Sequence, residues 1–285
     1  MAVLADLVAD GGVVVLSGAG LSTESGIPDY RGPSGRRRSG TPMTYQEFTG
    51  SEAARRRYWA RSHLGWRHVA QAPCNRGHRA VAGLQRAGLV SGIITQNVDG
   101  LHQAAGAREV VELHGSLHRV RCLECGERTG REELDRRLRE ANSDWAAAAG
   151  LQLHPDGARV NPDGDVALDD AEIEGFAVVG CASCGGMLKP DVIFFGENVP
   201  PARVSECFEL TDEAGLLLVL GSSLTVLSGF RFVRHAARQA IPVAIVNQGP
   251  TRGDEHAMLR LDAPLGQTLD ELLAALSAEP VPATS

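Results

Sequence analysis

Four short runs of apolar, mostly β-branched residues constrain the fold of this chain more than any other feature of its sequence. They cover residues 13–16, 92–95, 216–220 and 243–246, and helical stretches lie between them. Strands that are apolar at successive positions, and not only at alternate ones, are buried on both faces. The pattern therefore predicts an α/β fold with a Rossmann-like, doubly wound parallel sheet.

Each apolar run is followed by small, polar or glycine-rich residues, at positions 17–20, 96–100, 221–223 and 247–249. The carboxyl ends of parallel strands meet at one edge of the sheet, and ligands of open α/β sheets bind there. We therefore expect these four loops to form a single site.

Composition limits the function classes. The chain has 285 residues and a net charge of −7, which argues against direct nucleic-acid binding. The arginine runs at 36–38 and 55–57 are interpreted as solvated faces. No apolar stretch approaches the roughly 18 residues of a membrane span, and the N-terminus lacks a secretory signal. We expect a cytoplasmic, monomeric protein with no membrane contact.

Four of the six cysteines form two Cys-x-x-Cys pairs, Cys122 with Cys125 and Cys181 with Cys184. In a reducing compartment such pairs favour metal binding, and four thiolates match a closed, tetrahedral structural zinc site. A redox dithiol is the rival interpretation, although neither pair opens a helix after a strand. Cys74 is interpreted, like Cys207, as a free thiol.

The stretch between the two cysteine pairs differs in composition from the rest, being rich in Asp, Glu, Pro and Gly, with a predicted helix over 132–142. This predicts a small zinc-binding module at 118–187, inserted into a discontinuous Rossmann-like domain of residues 1–117 and 188–279. Residues 280–285 are predicted to be a flexible tail.

A Gly-x-Gly sequence, Gly18 to Gly20, directly follows the first predicted strand and would let backbone N–H groups approach a pyrophosphate. Thr23 stands where the usual dinucleotide fingerprint has its third glycine, and no acidic residue clearly ends a second strand about 20 residues later. Both departures argue against an NAD dehydrogenase. Gly-x-Gly alone fits a simple tight turn equally well, but the continuation through residues 26–31 favours a loop over a nucleotide.

The second loop carries Gln96, Asn97 and Asp99, whose side chains suit ribose hydroxyls or an amide. His102 and His114 are both candidate bases, since imidazole titrates near neutrality. A lone histidine is more often structural, and this is the default interpretation of His102. His114 lies at the junction of the two predicted modules, where clefts form.

Taken together, these motifs resemble the sirtuin family. The resemblance rests on Gly-Ala-Gly-x-Ser from residue 18, Gly-Ile-Pro-Asp-x-Arg from 26, Thr-Gln-Asn-x-Asp from 95, Leu-His-Gly from 113, the cysteine pairs, and segments 189–197, 221–224 and 246–247. It runs from about residue 13 to about residue 272. Segments 57–61, 228–232 and 247–252 are similar to class II sirtuins.

The resemblance implies an NAD-dependent protein-lysine deacylase, removing acetyl or a longer apolar or lipoyl-like group and releasing nicotinamide and O-acyl-ADP-ribose. His114 would be the general base and Asn97 a second catalytic residue. The residues implied to bind NAD are Gly18, Ala19, Gly20, Ser22, Thr23, Pro28, Asp29, Tyr30 and Arg31; Gln96, Asn97, Val98 and Asp99; Gly221, Ser222 and Ser223; and Asn247, Gln248, Gly249 and Leu265.

The resemblance also implies the substrate side of the site. Val192, Phe194, Phe195, Gly196 and Glu197 would pair with an extended peptide by strand addition and present its acylated lysine to an apolar tunnel. The acyl oxygen would attack the nicotinamide-ribose carbon, and His114 would activate a ribose hydroxyl through Nε2.

Two segments depart from the family pattern. Residues 226–229 read Val-Leu-Ser-Gly where the family often has Val-x-Pro. Phe48 follows Tyr45 by three residues, at a position where sirtuins that prefer succinyl- or malonyl-lysine carry an arginine. We therefore expect weak activity on acidic acyl groups.

Two other function classes stay open. A protein mono-ADP-ribosyltransferase would use the same NAD site and His114. A non-enzymatic zinc-ribbon adaptor would explain the cysteines but would leave His114 and the polar loops without a purpose.

Overall fold

The computed structural model describes residues 1–30, 42–145, 161 and 163–278. Its helices are α1 (Ala2–Ala9), α2 (Tyr45–Gly50), α3 (Glu52–Ala70), α4 (Arg76–Arg86), α5 (Leu101–Ala104), α6 (Arg131–Ala141), α7 (Asp170–Ile173), α8 (Pro201–Asp212), α9 (Leu227–Arg238) and α10 (Leu265–Ala278). Its strands are β1 (Val13–Ser17), β2 (Val90–Thr95), β3 (Val110–Glu112), β4 (Gly115–Cys122), β5 (Arg128–Gly130), β6 (Leu188–Val192), β7 (Leu216–Leu220), β8 (Val243–Val246) and β9 (Leu259–Leu261).

A six-stranded sheet forms the centre of the molecule, in the order β3-β2-β1-β7-β8-β9. Every neighbouring pair is parallel. Every residue of β1, β7 and β8 is buried, as the apolar runs predict. The predicted Rossmann-like α/β fold is confirmed.

The two faces of this sheet have separate cores. Val13 and Val15 of β1 pack with residues of α1, α4 and α10, whereas Val14 and Leu16 pack with residues of α8 and α9. Because side chains alternate across a strand, a run that is apolar throughout contributes side chains to both cores.

The edge strands β3 and β9 were not predicted. Each has only three residues, and most of them are partly exposed. A strand this short and half-exposed has no continuous apolar run, so the sequence pattern did not reveal it.

A second sheet of three antiparallel strands, β5-β4-β6, carries the two cysteine pairs near its end. The helix predicted over 132–142 is present as α6 and is displaced by one residue. Strand β4 begins at Gly115 and β6 ends at Val192, so this sheet extends past both predicted module limits, 118 and 187. Those limits stay a prediction.

A buried carboxylate joins α6, the helix that follows β5, to α3. Asp135 on α6 has no exposed surface and meets His63 and Arg67 of α3, together with Arg131 and Arg139 of its own helix. Burial alone would raise the pKa of Asp135, but hydrogen bonds from His63 and Arg67 hold it well below its usual range. The network therefore fixes α6 against α3.

None of the helices in the described ranges combines the length and the apolar character that crossing a membrane would require.

Candidate active site and metal centre

The loops after β1 and β7 touch, and glycines make that contact possible. A Cβ on Gly18 would lie 2.8 Å from Cβ of Ser222, and one on Gly20 would lie 2.9 Å from Cα of Gly221. The Gly20 N–H donates to the carbonyl of Gly221 at 2.8 Å. The Gly-x-Gly pattern therefore serves close backbone approach between two of the predicted loops.

The loop after β2 is joined to the first by side-chain hydrogen bonds. Nδ2 of Asn97 donates to the carbonyl of Gly18 and to Oγ of Ser22, both at 3.0 Å. Ser22 in turn donates to Asp99 at 2.7 Å. Burial raises the pKa of Asp99, and hydrogen bonds from the Leu101 N–H and from Ser22 oppose that rise. These polar side chains are thus held in place before any ligand arrives.

The same loop also reaches the third one, because Nε2 of Gln96 donates to Oγ of Ser222 at 2.9 Å. Leu265, the first residue of α10, lies beside Gly221: a Cβ on that glycine would be 2.6 Å from Cδ1 of Leu265. The fourth loop holds Asn247, whose Nδ2 donates to the carbonyls of its neighbours Gln248 and Gly249.

The remaining residues of the first loop form a 3-10 helix, Ala19–Ser25, and the extended stretch after it. Pro28 is buried, and the Tyr30 ring lies edge-on to the ring of Phe195 at 6.4 Å. Asn75, the N-cap of α4, donates to the carbonyl of Leu21 and so ties the 3-10 helix to α4.

Some predicted positions fall outside the described residues. They are Arg31, the arginine run at 36–38 and the tail at 280–285.

His114 lies in the link that leaves the large sheet at β3 and enters the small sheet at β4. Its ring is held at both nitrogens: Nδ1 is 2.9 Å from the carbonyl oxygen of Gln96, and Nε2 is 2.7 Å from Oγ of Ser228. A carbonyl oxygen only accepts, so Nδ1 carries the proton and Nε2 presents its lone pair.

Burial lowers the pKa of His114 to about 4, with smaller contributions from the charges of Arg203 and Arg231. The imidazole is therefore neutral near pH 7. A neutral ring with a fixed tautomer can accept a proton at Nε2, which is the property a general base needs.

His102 lies beneath the first two loops. Its Nε2 is 2.9 Å from Oγ of Ser17, and its ring meets that of His78 with centroids 5.2 Å apart. Burial lowers the pKa of His102 to about 3 and that of His78 to about 4. Two neutral rings packed in the interior agree with the structural interpretation of His102.

The segment expected to bind the substrate peptide starts beside the candidate base. The Ile193 N–H donates to the carbonyl of His114 at 2.8 Å. The buried Lys189 ammonium pairs with Glu197 at 3.0 Å, and Oε2 of Glu197 accepts from the Phe194 N–H at 2.9 Å. This ion pair fixes the turn that follows β6.

The start of α2 already contacts that segment. The Tyr45 N–H donates to the carbonyl of Phe195 at 2.9 Å, and Gln46 donates to the carbonyl of Gly196 at 3.1 Å. A peptide that paired with these two carbonyls would have to displace α2. The pairing expected for residues 192–197 stays a prediction.

The four paired cysteines come together at the end of the small sheet. Their sulfur atoms all lie within 4.8 Å of one another, with Cys122 to Cys184 at 3.6 Å and Cys125 to Cys181 at 3.8 Å. Four sulfurs bound about 2.3 Å from a tetrahedral zinc ion would be about 3.8 Å apart. The donor set and its spacing fit zinc, whereas a redox dithiol would need only one pair.

Sequence reasoning missed four residues around the site. They are His78 and Arg203, which lie in no recognised motif, and Ser228 and Arg231, which belong to the class II-like segment 228–232 but were given no role. Phe48, expected near the acyl pocket, is fully buried, with its ring 5.3 Å from that of Phe194.

Known proteins resemble this chain along most of its length. The model of the Sir2 family matches residues 18–228. The NAD-dependent protein deacetylase 1 of Streptomyces coelicolor is 60% identical over 269 residues, covering 94% of this chain and 87% of that protein. The NAD-dependent protein deacetylase 1 of Mycobacterium avium is 51% identical over 270 residues, covering 94% and 91%.

A solved structure described as Sir2 with a p53 peptide and NAD+ superposes with a TM-score of 0.76 at 28% identity, covering 97% of this chain and 98% of that one. The similarity to class II in particular stays a prediction. Family model, relatives and architecture agree, and this chain belongs to the Sir2 family, the sirtuins.

Proposed function

We propose that this protein is an NAD-dependent protein-lysine deacylase that acts on acetyl-lysine, with His114 as its general base. The observation that carries the proposal is the state of His114: a neutral ring whose Nδ1 proton is held by the carbonyl of Gln96, leaving the lone pair on Nε2. The relatives named NAD-dependent protein deacetylase, up to 60% identical, support the same activity.

The loops around His114 suit a dinucleotide. The glycine contacts bring the backbones of the first and third loops together, and a side chain at Gly18 or Gly20 would force the two loops apart. Backbone N–H groups that lie this close to a strand end suit a pyrophosphate. Gln96, Asn97 and Asp99 supply fixed polar groups beside it. NAD, when bound, supplies a ribose carbon open to attack by the acyl oxygen, with nicotinamide as the leaving group.

In this reaction the protein orients the dinucleotide and accepts a proton from it. Asn97 and Asp99 are cross-linked through Ser22, so their remaining hydrogen-bonding capacity points in fixed directions for the amide and ribose of the ligand. His114 accepts a hydroxyl proton at Nε2, and the Gln96 carbonyl stabilises the resulting imidazolium through the Nδ1 proton. Because that proton stays on Nδ1 throughout, the ring need not change tautomer.

The cysteine cluster serves the fold in this proposal. Four thiolates complete the coordination of a zinc ion and leave no open position for a substrate or water. Zinc, when bound, would hold the β4 and β6 ends of the small sheet together. His114 precedes β4 directly, so the cluster would also support the position of the base.

Aromatic packing favours an apolar acyl group. Phe194 of the expected substrate segment packs against Phe48 and Tyr58, with ring centroids 5.3 and 5.2 Å away. The Lys189 ammonium lies 4.5 Å from the centroid of the Phe194 ring, but it is already paired with Glu197. A carboxylated acyl group placed against these rings would therefore lose its hydration without finding a free cationic partner there. Acetyl and longer apolar groups are therefore the proposed substrates, on lysines of extended protein segments.

The test is product formation from NAD with acetyl-, butyryl-, lipoyl- and succinyl-lysine peptides. Nicotinamide and O-acyl-ADP-ribose should form with the apolar acyl groups, and His114→Ala should lower the rate by about a hundred- to ten-thousandfold. His235→Ala is the matched control, because His235 pairs with Asp212 near the C-terminal end of α9, seven residues after Ser228.

Labelled NAD separates the rival activity. Label transferred to protein with no O-acyl-ADP-ribose formed would replace the deacylase by a mono-ADP-ribosyltransferase. Faster removal of succinyl than of acetyl would contradict the acyl preference and leave the deacylase intact.

A further inference from the structure

Ser228 lies at the candidate base although it is 114 residues away in the chain. It stands in the first turn of α9, and its Oγ is 2.7 Å from Nε2 of His114. That nitrogen is the one on which the proposed deacylation depends. A hydroxyl at this distance makes a strong hydrogen bond to it.

The direction of this hydrogen bond follows from the other side of the ring. The Gln96 carbonyl requires the proton on Nδ1, and burial keeps the imidazole neutral, so Nε2 is an acceptor. The Ser228 hydroxyl therefore donates. It occupies the lone pair that a ribose hydroxyl would need.

The start of α9 is held rigidly against the loop that positions the base. A Cβ on Gly229 would lie 2.5 Å from Oε1 of Gln96, so the helix backbone packs directly on that side chain. The residues after Gly229 anchor α9 in the core through the buried side chains of Phe230, Phe232 and Val233. Ser228 is therefore presented to His114 by a fixed element.

A serine beside a histidine also has the spacing of a nucleophile and its base. Acyl transfer to Ser228 would need backbone donors for the developing oxyanion. The N–H groups of Gly229 and Phe230 already donate to the carbonyl of Val226, at 3.3 Å each. The geometry thus favours a positioning role over a nucleophilic one.

We infer that Ser228 is a positioning residue that occupies the Nε2 lone pair of His114 in the free enzyme and releases it to a ribose hydroxyl when the dinucleotide binds. The inference rests on the proposed function. In the free protein the hydrogen bond satisfies a partly buried acceptor and fixes the plane of the ring. Binding of the ribose must break it, so Ser228 sets part of the cost of NAD binding.

A double-mutant cycle on NAD affinity tests this coupling, with Ser228→Ala, His114→Ala and both changes together, measured by titration calorimetry. Losing the competing hydrogen bond should tighten NAD binding by about two- to tenfold in the Ser228→Ala protein. The same substitution should change nothing when His114 is already alanine. Ser228→Thr keeps a hydroxyl and should retain the wild-type affinity.

Nitrogen-15 NMR of the histidine rings detects the hydrogen bond between Ser228 and Nε2 of His114 and does not depend on catalysis. The Nε2 resonance of His114, assigned by its loss in His114→Ala, should move in Ser228→Ala, and in the wild type it should move when NAD is added. An Nε2 resonance indifferent to Ser228, or equal tightening of NAD binding in both backgrounds, would overturn the inference.

The two proposals fail separately. A protein that shows the resonance shift and the NAD coupling but forms no O-acyl-ADP-ribose supports the role of Ser228 and contradicts the deacylase. Full deacylation without coupling between Ser228 and NAD binding would support the deacylase and contradict the role of Ser228. Covalent acylation of Ser228 during turnover would replace the positioning role by a nucleophilic one.

Discussion

Replacing His78 by leucine should make the folded protein less sensitive to acid. His78 lies on α4 with no exposed surface, and neither of its ring nitrogens has a hydrogen-bond partner among the described residues. Its ring packs against that of His102. Burial lowers the pKa of His78 from 6.5 to about 4, because the charged ring cannot be hydrated there.

The direction and the size of the expected change in unfolding free energy follow from the lowered pKa of His78. Above pH 6.5 the ring is neutral in the folded and the unfolded chain, so it adds no pH dependence. Between pH 6.5 and about 4 only the unfolded chain binds the proton, and the free energy of unfolding falls as the pH falls. At pH 5, which is about 1.5 pH units below the unfolded pKa, the loss is about 2 kcal/mol.

Urea unfolding at pH 7 and pH 5 measures the effect. The decrease in unfolding free energy between the two pH values should be smaller by about 2 kcal/mol in His78→Leu than in the wild type. Val81→Leu, at a buried position on the same helix that carries no titratable group, should keep the wild-type decrease. An equal decrease in the wild type and in His78→Leu would refute the reasoning.

Three further changes test other parts of the structure. Asp135→Asn should lower the unfolding free energy by about 3–5 kcal/mol in urea titrations, because it leaves the buried Arg131 guanidinium without its carboxylate. Cys184→Ser should reduce bound zinc, measured by elemental analysis, and lower the melting temperature. Gly229→Ala would place a Cβ 2.5 Å from Gln96, so turnover should fall by up to about a hundredfold, whereas Gly50→Ala, with nothing within 4 Å, should leave it unchanged.

The parallel sheet was predictable because its central strands are buried on both faces, and a strand so placed must be apolar at every residue. The sequence therefore revealed β1, β2, β7 and β8 directly. The edge strand β3 was missed because it has only three residues and two of them are partly exposed. Such a strand is selected by backbone pairing with β2, which leaves no signature in the side chains.

The meeting of the four loops followed from topology alone, because parallel strands end at one edge. The topology did not predict which atoms of these loops would be in contact. That Asn97 bonds to the Gly18 carbonyl, or that Gln96 reaches Ser222, depends on the register of β1 against β2 and β7. Register is a property of strand pairs, and single-strand patterns do not contain it.

The surroundings of His114 show where sequence reasoning ends. Its position between two modules could be predicted from a change of composition, but its ionisation state could not. Burial keeps the ring neutral, and its position is set by three elements distant in the chain: the Gln96 carbonyl accepts from Nδ1, Ser228 meets Nε2, and the Ile193 N–H donates to the main-chain carbonyl. The large sheet, α9 and the small sheet each supply one of them. A shift between the two sheets would change these hydrogen bonds of the proposed base, so we expect the zinc cluster at the far end of β4 to support its position without touching the substrate.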